Sequence, residues 1–124
     1  SAFASNITNK SFNKIKDFEL ASCFLKSKSG VIGIINNSRH SSYGYDQRIE
    51  IFGNKGVLIS KNKKKYDFFI DRYKTAYKLQ LKDLVLLAEK NKKPLATFTE
   101  GEKALLIANA AYKSLRTKKI IKIK

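Results

Sequence analysis

The chain has 124 residues, which is the length of one ordinary domain and too short for two. Its composition, 43% hydrophobic, 11% aromatic and 29% charged, is that of a globular protein and excludes collagen-like, linker-like and disordered sequence. The 26 Lys and Arg residues outnumber the 10 Asp and Glu residues, and the resulting net charge of +16 would attract polyanions.

The first half of the chain has the alternation of apolar and polar residues that is typical of strands. Ala2–Ile7 is expected to form a strand at the start. Asp17–Ser27 is predicted to be a second strand, and Val31–Asn36 is predicted to return antiparallel to it after a turn at Ser29-Gly30. One face of the second strand then carries Phe18, Leu20, Ser22 and Phe24, and the other carries Glu19, Ala21, Cys23 and Leu25.

A second hairpin is predicted further along. Arg48–Phe52 alternates as a strand, Gly53–Gly56 has the composition of a turn, and Val57–Ser60 is predicted to return as a short strand.

The second half has helical periodicity. A first helix is predicted from Ile70 to Lys90, and Asn91–Pro94 should end it because Pro94 disfavours helical geometry at the residue before it. Its apolar stripe consists of Tyr73, Tyr77, Leu81, Leu84, Val85 and Ala88.

A last helix is predicted to begin at a capping box. Thr99 is the expected N-cap, Glu102 would reach back to it, and the helix should run to about Leu115. The tail Lys119–Lys124 is short and β-branched and is expected to form a final edge strand. The face predicted to be buried consists of Ala104, Leu105, Ala108, Ala111, Tyr112 and Leu115.

Strands followed by helices without regular alternation indicate an α+β fold. We expect residues 1–124 to form a single domain with a mostly antiparallel, open-faced sheet and two main helices on one face. Because the first hairpin is apolar on both faces and the helices can cover only one, the other face would be exposed. We therefore expect the chain to form a homo-oligomer through the open face of the sheet.

The residues that carry chemistry are few. No GxGxxG follows a strand and no GxxxxGK[ST] phosphate loop is present. The lone Cys23 excludes a disulfide framework and is predicted to be a small buried residue, and the lone His40 excludes a two-histidine zinc site. His40 is better explained as a loop histidine near a strand end than as a catalytic residue. No catalytic, cofactor-binding or metal-binding residue is predicted.

The sequence also bears on the location of the protein and on membrane binding. The sequence has no apolar stretch of the roughly 20 residues needed to span a membrane, and its N-terminus lacks the pattern of a signal peptide. We therefore expect a soluble cytoplasmic protein that does not bind membranes.

The positive charge has two explanations. Nearly all of the basic residues are Lys, which favours a solvated surface over specific phosphate recognition, for which Arg is better suited. The alternative is a free-standing module that binds nucleic acid or another polyanion, for which the run Lys61–Lys65 would serve as an anion patch.

The most informative segment is Asn36–Phe52, NNSRHSSYGYDQRIEIF. Loops that a rigid sheet holds often carry binding groups, and Tyr hydroxyls, carboxylates and side-chain amides suit a polyhydroxylated substrate. The alternative is that Tyr43-Gly44-Tyr45 forms a turn whose rings cover the edge of the sheet. Chemistry alone does not choose between the two.

The segment Gly30–Leu58, GVIGIINNSRHSSYGYDQRIEIFGNKGVL, closely resembles the C-terminal domain of the Gfo/Idh/MocA oxidoreductase family. Its YGYDQR motif and flanks are most similar to those of the inositol 2-dehydrogenase members. The resemblance continues through FFIDRYKTAY at Phe68–Tyr77, TEGEKALLIANAAYKS at Thr99–Ser114 and the closing segment Ile120–Ile123. It covers essentially the whole chain.

The resemblance implies a two-domain oxidoreductase that uses NAD or NADP to oxidise a polyol CH–OH group. Its N-terminal Rossmann domain would bind the cofactor, and a segment before this domain would carry the lysine, aspartate and histidine of proton transfer. This chain would supply the substrate-binding and oligomerisation domain only. We therefore expect the isolated chain to be inactive and to bind no NAD.

The resemblance also assigns residues to the substrate site. Either Tyr43 or Tyr45 would reach the hydroxyls of a polyol or sugar, and Asp46 and Arg48 would hold the loop behind them. Two tyrosines in the helix match a position near the substrate, with core packing as the alternative for both. The full set of predicted substrate-site residues is Tyr43, Tyr45, Asp46, Gln47, Arg48, Tyr73 and Tyr77.

Overall fold

The computed structural model describes residues 1–90 and 93–123 and divides the chain into two compact units. Unit 1 comprises Ser1–His40 and Leu95–Lys124, and unit 2 comprises Ser41–Pro94. The elements in chain order are β1 (Ala2–Ser5), a 3₁₀ turn (Lys10–Asn13), β2 (Leu20–Lys26), β3 (Ile32–Ser38), β4 (Ile49–Gly53), β5 (Gly56–Ser60), α1 (Phe69–Lys90) and α2 (Phe98–Thr117). The α+β class is confirmed, and the strands lie in two sheets, one in each unit.

Unit 1 contains an antiparallel three-stranded sheet in the order β1-β2-β3. The predicted hairpin is confirmed, with Cys23 opposite Ile35 and Phe24 opposite Ile34. Its turn centres on Lys28 and Ser29, one residue earlier than predicted, because the Gly30 N–H closes the turn onto the Ser27 carbonyl at 3.1 Å; the Ser27 N–H donates to the Val31 carbonyl at 2.9 Å.

The two faces of this sheet differ in burial, as the alternation predicted. On one face Ala2, Ala21 and Cys23 are buried or half-buried, although Ile35, opposite Cys23, is 43% exposed. Helix α2 lies against β1, where the Ala2 N–H donates to the Ser114 hydroxyl at 3.1 Å. The opposite face, called the open face below, is exposed. Its large apolar members are Phe3, Leu20, Phe24, Ile32 and Ile34.

The loop between β1 and β2 is organised by one buried carboxylate, Glu19, which is 3% exposed. The backbone N–H groups of Thr8 and Asn9 donate to it at 3.0 and 3.3 Å, and His40 Nε2 lies 3.1 Å from Oε1. Burial raises the pKa of Glu19, but the hydrogen bonds from Thr8 and Asn9 and the charge of His40 outweigh it and leave the pKa below its ordinary value. Both carboxylate oxygens of the buried Glu19 therefore have polar partners.

Helix α2 begins two residues earlier than predicted. Its N-cap is Thr97, whose hydroxyl accepts from the Thr99 N–H at 3.2 Å, while Glu100 accepts from the Thr97 N–H at 2.9 Å. The prediction of Thr99 with Glu102 was wrong because Thr97-Phe98-Thr99-Glu100 has the same capping-box spacing one half-turn upstream.

The predicted burial of α2 was also wrong in part. Ala104, Leu105, Ala108 and Tyr112 are exposed, and only Ala111 and Leu115 of the predicted face are half-buried. The residue buried against β1 is Ser114, whose hydroxyl donates to the Lys119 carbonyl at 2.7 Å. Residues 119–123 form no strand, contrary to the prediction, and Lys124 lies outside the described residues. Among the described residues the tail pairs with neither edge strand of the three-stranded sheet, β1 or β3, and its Lys119 carbonyl accepts from Ser114 instead.

Unit 2 contains the second predicted hairpin and α1. Strands β4 and β5 pair antiparallel, with Ile51 opposite Leu58 and a turn between Gly53 and Gly56, as predicted. Helix α1 is confirmed to within one residue at its start, but most of its predicted apolar stripe is exposed within the unit. The predicted stop at Asn91–Pro94 lies partly outside the described residues.

Candidate functional site

The YGYDQR segment, residues 43–48, lies in unit 2 between the end of β3 and the start of β4. Gly44 has a φ of +85° and forms a parallel bridge with Tyr66, which precedes α1. The Tyr45 N–H donates to the Tyr66 carbonyl at 2.5 Å. A side chain at Gly44 would collide with that same carbonyl, so the glycine is what allows the segment to approach α1.

The approach builds an aromatic cluster from the segment and the first turns of α1. The Tyr45 ring lies edge-on to Tyr73, with centroids 5.8 Å apart, and 6.2 Å from Phe69. Tyr77 continues the cluster at 6.1 Å from Tyr73. Tyr45 and Tyr77 remain 42% and 44% exposed, so part of the cluster is accessible from solvent.

A polar contact crosses the cluster. The Tyr73 hydroxyl donates to Gln47 Oε1. Burial and the neighbouring Tyr45 raise the pKa of Tyr73, so this hydroxyl stays protonated and remains a donor throughout the neutral range. Gln47 Oε1 is thereby occupied, which directs the amide NH₂ of Gln47 elsewhere.

The remaining motif residues, Tyr43, Asp46 and Arg48, contact one another. Arg48 Nε donates to Asp46 Oδ2 at 2.7 Å, and the Asp46 side chain is only 11% exposed. The Arg48 guanidinium lies 5.3 Å from the centre of the Tyr43 ring. The hydrogen bond and charge of Asp46 raise the pKa of Arg48. These contacts give the loop internal order, and the roles assigned to Tyr43, Asp46 and Arg48 stay predictions.

The structure thus brings the seven predicted residues into two adjoining groups within unit 2. Tyr45, Gln47, Tyr73 and Tyr77 form one, and Tyr43, Asp46 and Arg48 form the other.

Sequence reasoning missed three residues that support the first group: Asn62, Tyr66 and Arg72. Only the glycine in YGYDQR hinted at them, since a glycine between two tyrosines suggests a close backbone approach.

The open depression next to the site does not include the predicted residues. It has a volume of about 360 Å³ and is lined by Lys64, Lys65, Tyr66, Asp67, Asp71 and Lys74. Lys65 Nζ lies 3.2 Å from Asp67 Oδ1, and with Asp71 in the same lining two carboxylates offset part of the lysine charge. The lysine run is therefore a mixed-charge surface, and it gives little support to the anion-patch alternative.

The two lone reactive side chains lie in unit 1. Cys23 is half-buried in the middle of β2, and His40 follows β3, where it contacts Glu19. Across residues 1–90 and 93–123, no three His, Cys, Asp or Glu side chains cluster as a metal site would require. Among these residues no helix is both long and apolar enough to cross a membrane.

Comparison with known proteins identifies relatives of this chain. A family model described as GFO/IDH/MocA C-terminal domain matches residues 1–59. The myo-inositol 2-dehydrogenase of Thermotoga maritima is 33% identical over 98% of this chain and 41% of its own length. The inositol 2-dehydrogenase of Rhizobium meliloti is 32% identical over 98% of the chain and 42% of its own length. The chain therefore spans about two fifths of the curated relatives it matches.

The solved structures agree. The crystal structure of a putative myo-inositol dehydrogenase from Sinorhizobium meliloti superposes on the whole chain with a TM-score of 0.95, at 31% identity and 43% coverage of that protein. Fold and relatives together define the class of protein, an α+β domain of an oxidoreductase family. The chain is a Gfo/Idh/MocA C-terminal domain, and the resemblance seen in the sequence is confirmed.

Proposed function

We propose that this chain is the substrate-binding and assembly part of an NAD(P)-dependent oxidoreductase that oxidises a CH–OH group of inositol or a related polyol. One observation carries the proposal: the fold brings Tyr45 and Gln47 of the YGYDQR segment against Tyr73 of α1. The names of the relatives, which are inositol 2-dehydrogenases, support the substrate class.

The chemistry of the cluster suits a cyclic polyol. Such a molecule has hydroxyls that both donate and accept, together with C–H faces that pack on aromatic rings. Tyr45 and Tyr77, both partly exposed, supply rings and hydroxyls, and Gln47 supplies an amide whose oxygen is already occupied by Tyr73. The free NH₂ of Gln47 is then a donor for a substrate hydroxyl.

The described residues do not fit the nicotinamide cofactor. Its pyrophosphate is usually bound where a strand turns through glycines into a helix. In the part of the chain that the structure describes, the turn from β5 into α1, residues 61–68, contains no glycine. We place the cofactor on the portion of the relatives that this chain does not span, and we expect no NAD binding here.

Two further proposals follow from composition and burial. A second copy of the chain would cover the open face, because five large apolar side chains there are exposed. A cytoplasmic location is supported by a single half-buried cysteine, since disulfide frameworks are typical of oxidising compartments.

The alternative of a polyanion-binding module gains nothing from the relatives. Every described lysine is exposed, and lysines occur in both helices, in both hairpins and in the loops. A phosphate-binding surface would gather them on one face, whereas these are scattered.

The proposal is tested by titrating the ¹⁵N-labelled chain with myo-inositol and recording NMR spectra. A ligand of about 12 non-hydrogen atoms, at about 0.3 kcal/mol each, predicts a Kd in the millimolar range. We expect shift changes at Tyr45, Gln47 and Tyr73, their loss in Tyr45→Ala, and no effect of Tyr112→Ala, whose ring in unit 1 is similarly exposed. No change in unit 2 at saturating inositol would overturn the proposal, and NADH should cause none.

A further inference from the structure

The backbone of Tyr45 is held at both of its polar groups. Its N–H donates to the Tyr66 carbonyl at 2.5 Å, and its carbonyl accepts from Asn62 Nδ2 at 2.7 Å. Tyr45 lies outside any strand: its N–H bond belongs to the isolated bridge between Gly44 and Tyr66, and its carbonyl is bound by a side chain. A loop residue with both backbone groups satisfied has much less freedom than its neighbours.

Asn62 is fully engaged in holding Tyr45. While Nδ2 donates to Tyr45, Oδ1 accepts from Arg72 Nε. This pairing also fixes which end of the amide faces which partner, because a guanidinium can only donate and a carbonyl can only accept. No other side-chain type of this size can accept at one end and donate at the other.

Arg72 is in turn held by aromatic rings. Its guanidinium carbon lies 5.2 Å from the centre of the Tyr73 ring and 5.7 Å from that of Tyr66. Arg72 is half-buried, and it lies in the same turn of α1 as Tyr73, whose hydroxyl donates to Gln47. The Arg72 side chain therefore contacts the Tyr73 ring directly and is linked to the Tyr45 backbone through Asn62.

We propose that Asn62 and Arg72 are positioning residues that set the separation of Tyr45 and Tyr73, and with it the width of the polyol-binding surface. The inference rests on the proposed function for its ligand, but the link itself concerns this chain alone. It assigns a role to two residues outside the YGYDQR motif, neither of which needs to touch the substrate.

The sharpest variant is Asn62→Asp. It is nearly isosteric and keeps an oxygen for Arg72, but it replaces the donor to the Tyr45 carbonyl with a second acceptor. Arg72→Lys keeps the charge and loses the planar group that lies over the rings. Asn109→Asp and Arg116→Lys are matched controls, since both residues are exposed on α2 in unit 1.

The first measurement is amide hydrogen exchange by NMR, which needs no ligand. Loss of one neutral hydrogen bond should speed exchange at Tyr45 by about fivefold to tenfold in Asn62→Asp, while amides near Leu81 in the middle of α1 keep their rates. Uniformly faster exchange through unit 2 would indicate a general loss of stability and would overturn the positioning role. Unchanged exchange at Tyr45 would also overturn it.

The second measurement is the inositol titration. We expect both Asn62→Asp and Arg72→Lys to raise the Kd by about fivefold or more, with the two controls unchanged. If the wild-type chain binds inositol and both variants bind equally well, the inference fails while the proposed function stands. If the wild-type chain does not bind inositol, the proposed function fails, and exchange at Tyr45 in both Asn62→Asp and Arg72→Lys still decides whether Asn62 and Arg72 hold Tyr45.

Discussion

At the scale of single residues, Gly44 sets how closely the YGYDQR segment approaches α1. It has a φ of +85°, and an added Cβ would overlap the Tyr66 carbonyl oxygen. Gly44→Ala must therefore move the segment away from Tyr66 or adopt another backbone conformation. We expect a loss of at least about 2 kcal/mol in the free energy of unfolding of unit 2, measured by urea titration followed at Tyr66 and Tyr73.

Substitutions at two other glycines separate the cost of backbone strain from the cost of the clash with Tyr66. Gly30 has a nearly equal φ of +91° with nothing near its Cβ direction, so Gly30→Ala should cost only about 1 kcal/mol of backbone strain. Gly101 lies in α2 with open space around it, and Gly101→Ala should stabilise by about 0.5–1 kcal/mol. If Gly44→Ala costs no more than Gly30→Ala, the close approach to Tyr66 contributes nothing.

The limits of sequence reasoning are clear at the same scale. The motif residues could be named because their types suit a polyol and because YGYDQR resembles a known family. Asn62 and Arg72 could not, since an asparagine inside a lysine run and an arginine on a helix look like solvated residues until the fold brings them to Tyr45. Hydrogen bonds that join distant parts of the chain leave no local pattern in it.

At the scale of elements, strands and helices were predictable, and their ends were less so. Alternation located β2 and β3 and assigned their faces, because one face is covered by α2 and the other is not. Periodicity located α1 and α2. It could not show which residues of α2 are covered, because that depends on the contact between Ser114 and β1. The tail after Lys119 shows the same limit, since β-branched residues favour a strand but do not decide whether one pairs with an edge of the sheet.

The start of α2 can be tested directly because two threonines compete for the N-cap. The structure assigns the cap to Thr97, whose hydroxyl accepts from Thr99 N and whose backbone N–H is bonded to Glu100. Thr97→Ala should lower the free energy of unfolding by about 1 kcal/mol.

Thr99→Ala is the matched comparison, because that residue lies inside the first turn and caps nothing. Its cost should be a few tenths of a kcal/mol at most, since alanine is the better helix former there. Thermal unfolding followed by circular dichroism measures both variants. Equal losses, or a larger loss for Thr99→Ala, would place the cap at the downstream threonine instead.

At the scale of the whole molecule, the open face of unit 1 is the feature least expected of a chain that acts alone. Phe3 and Ile32 are 67% and 71% exposed, and the Phe3 and Phe24 rings pack edge to face, with centroids 6.4 Å apart, on the same surface. Contiguous apolar surface of this kind marks an interaction site. A second copy of the chain would present the same surface and bury both.

A lysine placed in that surface should prevent association, because burying an unpaired charge is costly. Ile34→Lys puts it on the open face, and Leu105→Lys adds the same charge at an equally exposed position on α2; the two side chains are 57% and 61% exposed. At micromolar concentration and about 0.15 M salt, where the repulsion of a +16 chain is largely screened, sedimentation velocity should show a dimer or larger for the wild type and for Leu105→Lys. Ile34→Lys should be monomeric. A wild type that sediments only as a monomer, or two variants that behave alike, would mean that the open face does not join copies of this chain.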